Sequence, residues 1–180
     1  MSSCLIRPAT PQDIPAITQI YAAAVLHGTA SFELEPPDEA EMARRMQRLQ
    51  DGGYPYIAAE RDSRLVGYAY AGVYRARPAY RWSVEDSIYL HPDYQRMGIG
   101  RELLDCLIAA CEGAGFRQMI AVIGDSVNQA PSIGLHRRAG FRLVGILENV
   151  GFKNGRWLDS VLMQRPLGAG DTAPPNSGPS

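Results

Sequence analysis

Leu90-His91-Pro92-Asp93-Tyr94-Gln95-Arg96-Met97-Gly98-Ile99-Gly100-Arg101 decides how this 180-residue chain is read. An apolar strand carrying Ile88 and Leu90 runs into a turn, a glycine-spaced loop and then a helix start. That order gathers free backbone N–H groups at a helix N-terminus, where they can hold phosphate oxygens. Glycines at 98 and 100 leave no side chain between those groups and a ligand. A P-loop needs Lys-Ser/Thr after its second glycine, and Arg101-Glu102 stand there instead. A dinucleotide fingerprint needs a third Gly or Ala near position 103, which is Leu103. On this segment alone, a glycine-rich turn that binds nothing stays open.

Downstream, Ile99, Leu103, Leu104, Leu107, Ile108 and Cys111 repeat at the helical period until Gly113 and Gly115 stop them. Met119–Ile123 then reads as a short buried strand and Ser132–Ala139 as a short helix. Val150–Lys153 and Arg156–Met163 flank Asn154-Gly155, a strong hairpin signal. Upstream, Trp82–Leu90 is the strand that enters the glycine loop. Tyr56–Glu60 and Leu65–Tyr74 are strands joined by the polar turn Arg61–Arg64. Leu5–Arg7 reads as a first strand, and Thr10-Pro11-Gln12-Asp13 as a helix cap with proline at N1 and an acid at N3. The helix it starts runs to Gly28. Asp38 with Glu41 caps a second helix that runs through Met42, Met46 and Leu49 to Gly52. The expected fold is mixed α/β: a mostly antiparallel sheet flanked by helices and closed by a C-terminal β-hairpin. Residues 1–167 form one domain. The Gly/Pro/Ser-rich stretch 168–180 is expected to be a disordered tail.

Composition narrows the function classes. A chain that is 46% hydrophobic can bury one proper core. Eighteen Lys and Arg against 19 Asp and Glu leave no basic field for nucleic acid. Cys4, Cys106 and Cys111 make no disulfide framework or metal-ligand pair, so no metal is expected and Cys106 and Cys111 read as small packing residues. No secretory leader or membrane-length apolar run is present, which points to a cytoplasmic protein with no membrane partner.

The spacing Gln95-x-x-Gly98-x-Gly100 resembles the pyrophosphate-binding signature of the GNAT superfamily of acyl-coenzyme A-dependent N-acetyltransferases, and the element order resembles the GNAT fold. Four further segments resemble its phosphinothricin and methionine sulfoximine N-acetyltransferase branch. They are Ser31-Phe32-Glu33-Leu34-Glu35-Pro36-Pro37, Val84-Glu85-Asp86-Ser87-Ile88-Tyr89-Leu90, Pro131-Ser132-Ile133-Gly134-Leu135-His136-Arg137-Arg138-Ala139-Gly140-Phe141, and Gly151-Phe152-Lys153-Asn154-Gly155-Arg156-Trp157. The resemblance implies acetyl-coenzyme A as co-substrate. Gln95, Arg96, Met97, Gly98, Ile99, Gly100 and Arg101 would hold its pyrophosphate. Ile88, Tyr89 and Leu90 would pair with its pantetheine arm and supply a backbone N–H to the thioester carbonyl. Asn128 resembles the residue that hydrogen-bonds the pantetheine, and a plain loop and helix-cap role is the alternative.

Amide formation from a thioester needs the amine deprotonated, the carbonyl oxygen stabilised and the departing thiolate neutralised. The resemblance places Glu85 in the acceptor cleft as general base, acting directly or through water; a solvated strand carboxylate is the plain alternative. Strand alternation puts Glu85 and Asp86 on opposite faces, so one of the two meets a given cleft. His136 stands four residues before Gly140-Phe141, where many GNAT proteins carry tyrosine and this branch carries histidine. It would either protonate the thiolate or only position ligands.

The loop Tyr74-Arg75-Ala76-Arg77-Pro78-Ala79-Tyr80 supplies arginine forks suited to carboxylate, phosphinate or sulfoximine oxygens, with a solvated loop as the alternative. Arg75, Arg77 and Tyr80 are therefore candidate acceptor ligands. By resemblance Phe32 would pack on the acceptor and Lys153 would lie near its acid group, in a pocket completed across a homodimer. The expected reaction is direct attack, in a ternary complex, by the free α-amine of a small amino acid or analogue: phosphinothricin, methionine sulfoximine or methionine sulfone. Detoxification of such herbicide-like analogues is then a consequence of the chemistry. Other acceptors (an aminoglycoside, a polyamine or a protein N-terminus) would favour an acidic pocket. A non-catalytic coenzyme A-binding regulatory module would have no use for Glu85 and His136.

Overall fold

The computed structural model describes residues 4–175. At its N-terminal edge, strand β1 (Leu5–Pro8) leads into the cap expected at Thr10. The Asp13 carboxylate accepts from the Thr10 amide at 2.8 Å and is gripped by two Arg7 nitrogens at 2.8 Å each. The first turn, Pro11–Asp13, is 3₁₀, and helix α1 (Ile14–His27) follows. Helix α2 (Glu39–Asp51) starts where Asp38 accepts from the Glu41 amide at 2.7 Å.

Strands β2 (Tyr56–Arg61), β3 (Arg64–Val73) and β4 (Ser83–Leu90) precede helix α3 (Ile99–Gly113). Strand β5 (Gln118–Gly124), helix α4 (Ala130–Arg138) and the hairpin β6 (Arg142–Lys153) and β7 (Arg156–Pro166) complete the chain. Together the strands make one seven-stranded sheet in the order β1-β2-β3-β4-β5-β7-β6. Every neighbouring pair is antiparallel except β4 and β5.

The two faces of the sheet bury separate cores. Tyr56, Ala58 and Tyr68 pack with Ile17, Ile20, Met42 and Met46 of α1 and α2. The alternate residues Ile57, Ala59, Val66 and Ala69 pack with Leu103, Leu104 and Leu107 of α3. Each of those fully buried leucines contributes about 1.5–3 kcal/mol of transfer free energy.

One feature of the topology creates an opening. β4 pairs with β5 only from Ser83↔Gln118 to Glu85↔Ile120, although the strands continue to Leu90 and Gly124. Beyond Glu85 they part. The backbone of Asp86–Leu90 is left without a sheet partner on that side, while β3 covers the other side throughout.

Several sequence expectations are corrected. β6 begins at Arg142, eight residues before the strand expected at Val150. Its first half carries apolar residues on both faces, so it shows no period-two signal. Cys111 lies in the α3 core as expected, but Cys106 is exposed. The Asn154-Gly155 turn is as read, with φ of 53° and 74°. Residues 168–175 fold back in turns, with the Gly168 amide donating to Glu112 Oε1 at 3.2 Å and Arg117 to the Pro174 carbonyl at 3.2 Å. Residues 176–180 of the expected tail lie outside the described residues. Among the described residues, no helix is long and apolar enough to cross a membrane.

Candidate active site

Sheet register alone assembles one wall of a site. Glu85 pairs with Ile120, Val122 with Leu162, Gly124 with Ser160, and Ser160 with Leu147. Paired residues share a face, so Glu85, Val122, Leu162, Ser160 and Leu147 all point the same way. They floor an open cavity of about 400 Å³, bordered by Phe32, Tyr74, Arg75 and Val150. Glu85 is the last β4 residue paired to β5, so the cavity lies at the fork where the two strands part.

Burial pushes the Glu85 carboxyl up to about 7, with the neighbouring charge of Asp86 adding to the shift. A carboxylate with that pKa exchanges protons readily at neutral pH. Arg75 is held in the cavity wall by stacking, its guanidinium 5.3 Å from the Tyr74 ring centroid and 6.0 Å from that of Tyr80. Of the expected acceptor ligands, Phe32 and Arg75 thus join Glu85. Tyr80 contributes through Arg75, and Arg77 is exposed at the start of the Pro78–Tyr80 turn, outside the cavity lining.

Lys153 is buried, and its ammonium donates to the Ser31 carbonyl at 2.6 Å. Desolvation lowers its pKa, against an opposing pull from Glu33. Lys153 therefore pins the loop that carries Phe32.

Asp86 takes the opposite face of β4, as alternation requires, and is only 7% exposed. There it accepts from His136 Nε2 at 2.9 Å, while His136 Nδ1 donates to the Ser132 carbonyl at 2.8 Å. A carboxylate and a carbonyl are both acceptors, so the form of the ring that satisfies both is the imidazolium, which donates from both nitrogens. Burial alone would lower its pKa; the hydrogen bond and charge of Asp86 outweigh that and leave it raised. Both ring N–H groups are spent within the fold, and His136 sits across β4 from Glu85. The resemblance gave His136 the role of protonating the thiolate or of only positioning ligands.

At the head of α3, Gly98 is the cap residue with φ 89°, a conformation closed to most side chains, and no side chain caps the helix. Gly100 serves differently from expectation: it is buried, and a Cβ there would stand 3.3 Å from a Leu90 methyl. Its absent side chain lets α3 close on β4, while Gly98 shapes the loop. Arg101 is paired to Asp105 at 2.6 Å, and Met97 accepts from Arg61 at 3.5 Å. Gln95 ends the 3₁₀ turn Pro92–Tyr94, Arg96 adopts φ 61° and Ile99 is buried. Ile88, Tyr89 and Leu90 lie on the unpaired flank of β4, half-buried.

Asn128 donates its amide to Asp125 Oδ2 at 2.8 Å, and its own side-chain oxygen is an acceptor. Burial pushes Asp125 up, but hydrogen bonds from Asn128, Arg156 and Thr29 outweigh it and hold the carboxyl at about 2.

Tyr74, Val122, Leu147, Val150, Ser160 and Leu162 line the cavity without having been singled out from sequence. Tyr74 was visible in the arginine loop. The others come together only through the register of β5, β7 and β6.

A parted β4–β5 pair, an uncapped helix N-terminus beside it and a carboxylate at the fork define the class. The chain belongs to the GNAT acetyltransferase family, whose acetyltransferase (GNAT) domain profile matches residues 6–162. It is 56% identical over 173 residues to phosphinothricin N-acetyltransferase of Alcaligenes faecalis, covering 96% of this chain and 87% of that one. It is 38% identical over 162 residues to the L-methionine sulfoximine/L-methionine sulfone acetyltransferase of Salmonella typhimurium, covering 90% and 94%. The crystal structure of a phosphinothricin acetyltransferase from Sinorhizobium meliloti with acetyl-coenzyme A superposes with a TM-score of 0.94. That protein is 49% identical, and the match covers 97% of this chain and 94% of that one.

Proposed function

We propose that the protein is an acetyl-coenzyme A-dependent N-acetyltransferase for the α-amine of phosphinothricin, methionine sulfoximine, methionine sulfone or a similar amino-acid analogue. The observation that carries this reading is the placement of Glu85 and Arg75 in one cavity at the β4–β5 fork. The uncapped N-terminus of α3, shaped by Gly98, suits a pyrophosphate. The unpaired flank Ile88–Leu90 offers backbone groups to a pantetheine arm, and the Asn128 carbonyl accepts from its amide.

In this mechanism Glu85, directly or through a water, takes the proton of the acceptor ammonium. The freed nitrogen attacks the thioester carbonyl; a C–N bond forms, the C–S bond breaks, and the second proton, shed by the now cationic nitrogen, passes to the departing sulfur, so that coenzyme A leaves as the thiol. Arg75 pairs with the acceptor's anionic or S=O/P=O head group. Lys153 holds the Phe32 loop close to that group. His136, with both N–H groups engaged, acts by positioning α4 and the Asn128 loop. The enzyme acts in the cytoplasm as a homodimer, joined along the exposed apolar strand β6.

Thiol release from acetyl-coenzyme A over a panel of amines tests the reading. Release with phosphinothricin, methionine sulfoximine and methionine sulfone, and not with spermidine or an aminoglycoside, is the expected result. Release confined to the cationic amines would overturn the acceptor class. Silence across the panel, with acetyl-coenzyme A still bound, would overturn the catalytic reading.

A further inference from the structure

The Phe32 ring lies over the sheet against β5 and β6, the two strands that flank β7, in a space that exists because two residues have no side chain. A Cβ on Gly124, at the end of β5, would stand 2.3 Å from Phe32 Cε1 and 2.9 Å from Cζ. A Cβ on Gly151, in β6, would stand 2.3 Å from Cε2 and 2.6 Å from Cδ2 on the ring's other edge. Neither distance is compatible with a real side chain. The two glycines come within reach of one ring because β6 bulges between Leu147 and Gly151, with Asn149 at φ 56°. Without that bulge, Gly151 would not sit diagonally across Ser160 from Gly124.

The backbone on either side of the ring is tied independently of the slot. The Ser31 carbonyl accepts from Lys153 at 2.6 Å, the Ser31 hydroxyl bonds Tyr21 at 2.9 Å, and Glu33 pairs with Arg45 at 2.6 Å. These ties on Ser31 and Glu33, one through the backbone and two through side chains, fix where the Phe32 Cα stands; the slot fixes where the ring goes. Since the ring is 39% exposed, it has room to swing if the slot is filled.

We infer that Gly124 and Gly151 are positioning residues for acceptor specificity: together they seat the Phe32 ring as one wall of the acceptor cavity, facing Glu85 and Arg75. This rests on the acceptor assignment above and deepens it. A flat ring seated over the sheet at the cavity's edge suits an acceptor with an unbranched apolar linker between its amine and its polar head group. A branch next to the amine-bearing carbon would strike the ring face.

Gly151→Ala is the cleaner probe. The three atoms nearest its methyl all belong to the Phe32 ring, whereas Gly124→Ala also approaches the Thr29 carbonyl at 3.0 Å. Gly151 lies in a strand without a positive φ, so alanine costs the backbone nothing. The expected result is a rise of about tenfold or more in KM for methionine sulfone, the size of one misplaced methylene in a pocket. KM for acetyl-coenzyme A and the melting temperature should stay near wild type. In a Phe32→Ala background, which has its own raised KM, Gly151→Ala should add nothing.

A second readout needs no turnover. The chain has four phenylalanines, so ¹⁹F NMR of 4-fluorophenylalanine-labelled protein resolves Phe32, assigned by its loss in Phe32→Ala. Gly151→Ala should displace that resonance and leave the others in place. An unmoved Phe32 resonance, or an acceptor KM equal to wild type, would overturn the slot. So would a KM rise that persists undiminished in the Phe32→Ala background. Absence of turnover in the wild-type protein would instead count against the acceptor assignment, and the resonance would then judge the slot.

Discussion

Glu85 carries two opposing consequences of its burial. Desolvation raises its pKa to about 7, which makes it a base suited to neutral pH and also a cost to the fold. The sign is set by linkage. A folded-state pKa above the unfolded value of 4.5 means that the native protein binds the proton more tightly. Stability is therefore full below about pH 4.5 and is lost as pH rises through about 7, by at most ~3.5 kcal/mol. Glu85→Gln should lower kcat roughly 10²–10⁴-fold with acetyl-coenzyme A affinity nearly intact. The rise of kcat/KM through pH 7 should vanish with it. The same variant should melt higher than wild type at pH 8.5 and at the same temperature near pH 5. A retained pH limb, or equal losses of turnover and cofactor affinity, would remove Glu85 from the chemistry. The sequence could place this residue on a strand, opposite in face to Asp86, because period-two alternation is local. Its altered pKa was not legible, since desolvation depends on Phe32, Ser160 and Leu147, which are distant in the chain.

Asp86 and His136 show the same divide at the scale of elements. Alternation alone assigns Asp86 to the far face of β4, yet nothing in sequence says that a helix fifty residues later will meet it. The result is a buried ion pair that ties α4 to β4. His136 has a raised pKa in the fold, so its pairing contributes stability that is fully present below the unfolded value of 6.5. That contribution is lost as pH rises through the folded value. Asp86→Asn keeps a hydrogen-bond acceptor and removes the charge. Its melting temperature should fall furthest below wild type near pH 5.5, and the gap should narrow by pH 9. A gap of constant size across that range would mean that the ring is neutral. Helices and their caps were legible almost to the residue: Thr10 with Asp13 and Asp38 with Glu41 use neighbouring groups only. The first half of β6 was not, because a strand that is apolar on both faces has no alternation to read. That omission also hid the bulge that shapes the acceptor cavity.

β6 is the last strand of the sheet, and its free edge presents a row of unpaired backbone N–H and C=O groups. Natural edges are usually blunted with charge or proline; this one carries Leu143, Val144, Ile146, Leu147 and Val150, each about half exposed, with Phe152 and Trp157 beside them. A solvent-facing apolar surface of this kind belongs against another protein surface. In the proposed homodimer a second copy of the chain would cover this surface and border the site as well, because Leu147 and Val150 belong both to the exposed strand and to the cavity wall. A two-fold contact between β6 strands would be self-complementary and would close both cavities at once. To hold at assay concentrations it needs roughly 1,200 Å² or more of total buried surface, which a 12-residue strand and its hairpin partner can supply. Val144 and Ile146 lie outside the cavity lining, so Val144→Glu with Ile146→Glu tests the contact without touching the acceptor. Light scattering should show a dimer for wild type and a monomer for the double variant. The monomer should keep its affinity for acetyl-coenzyme A, bound at the α3 end, and lose affinity for the acceptor by about tenfold, since one cavity wall loses its backing. A wild-type protein that is monomeric and fully active would show that the cavity needs no partner, and that the apolar edge serves something other than self-association.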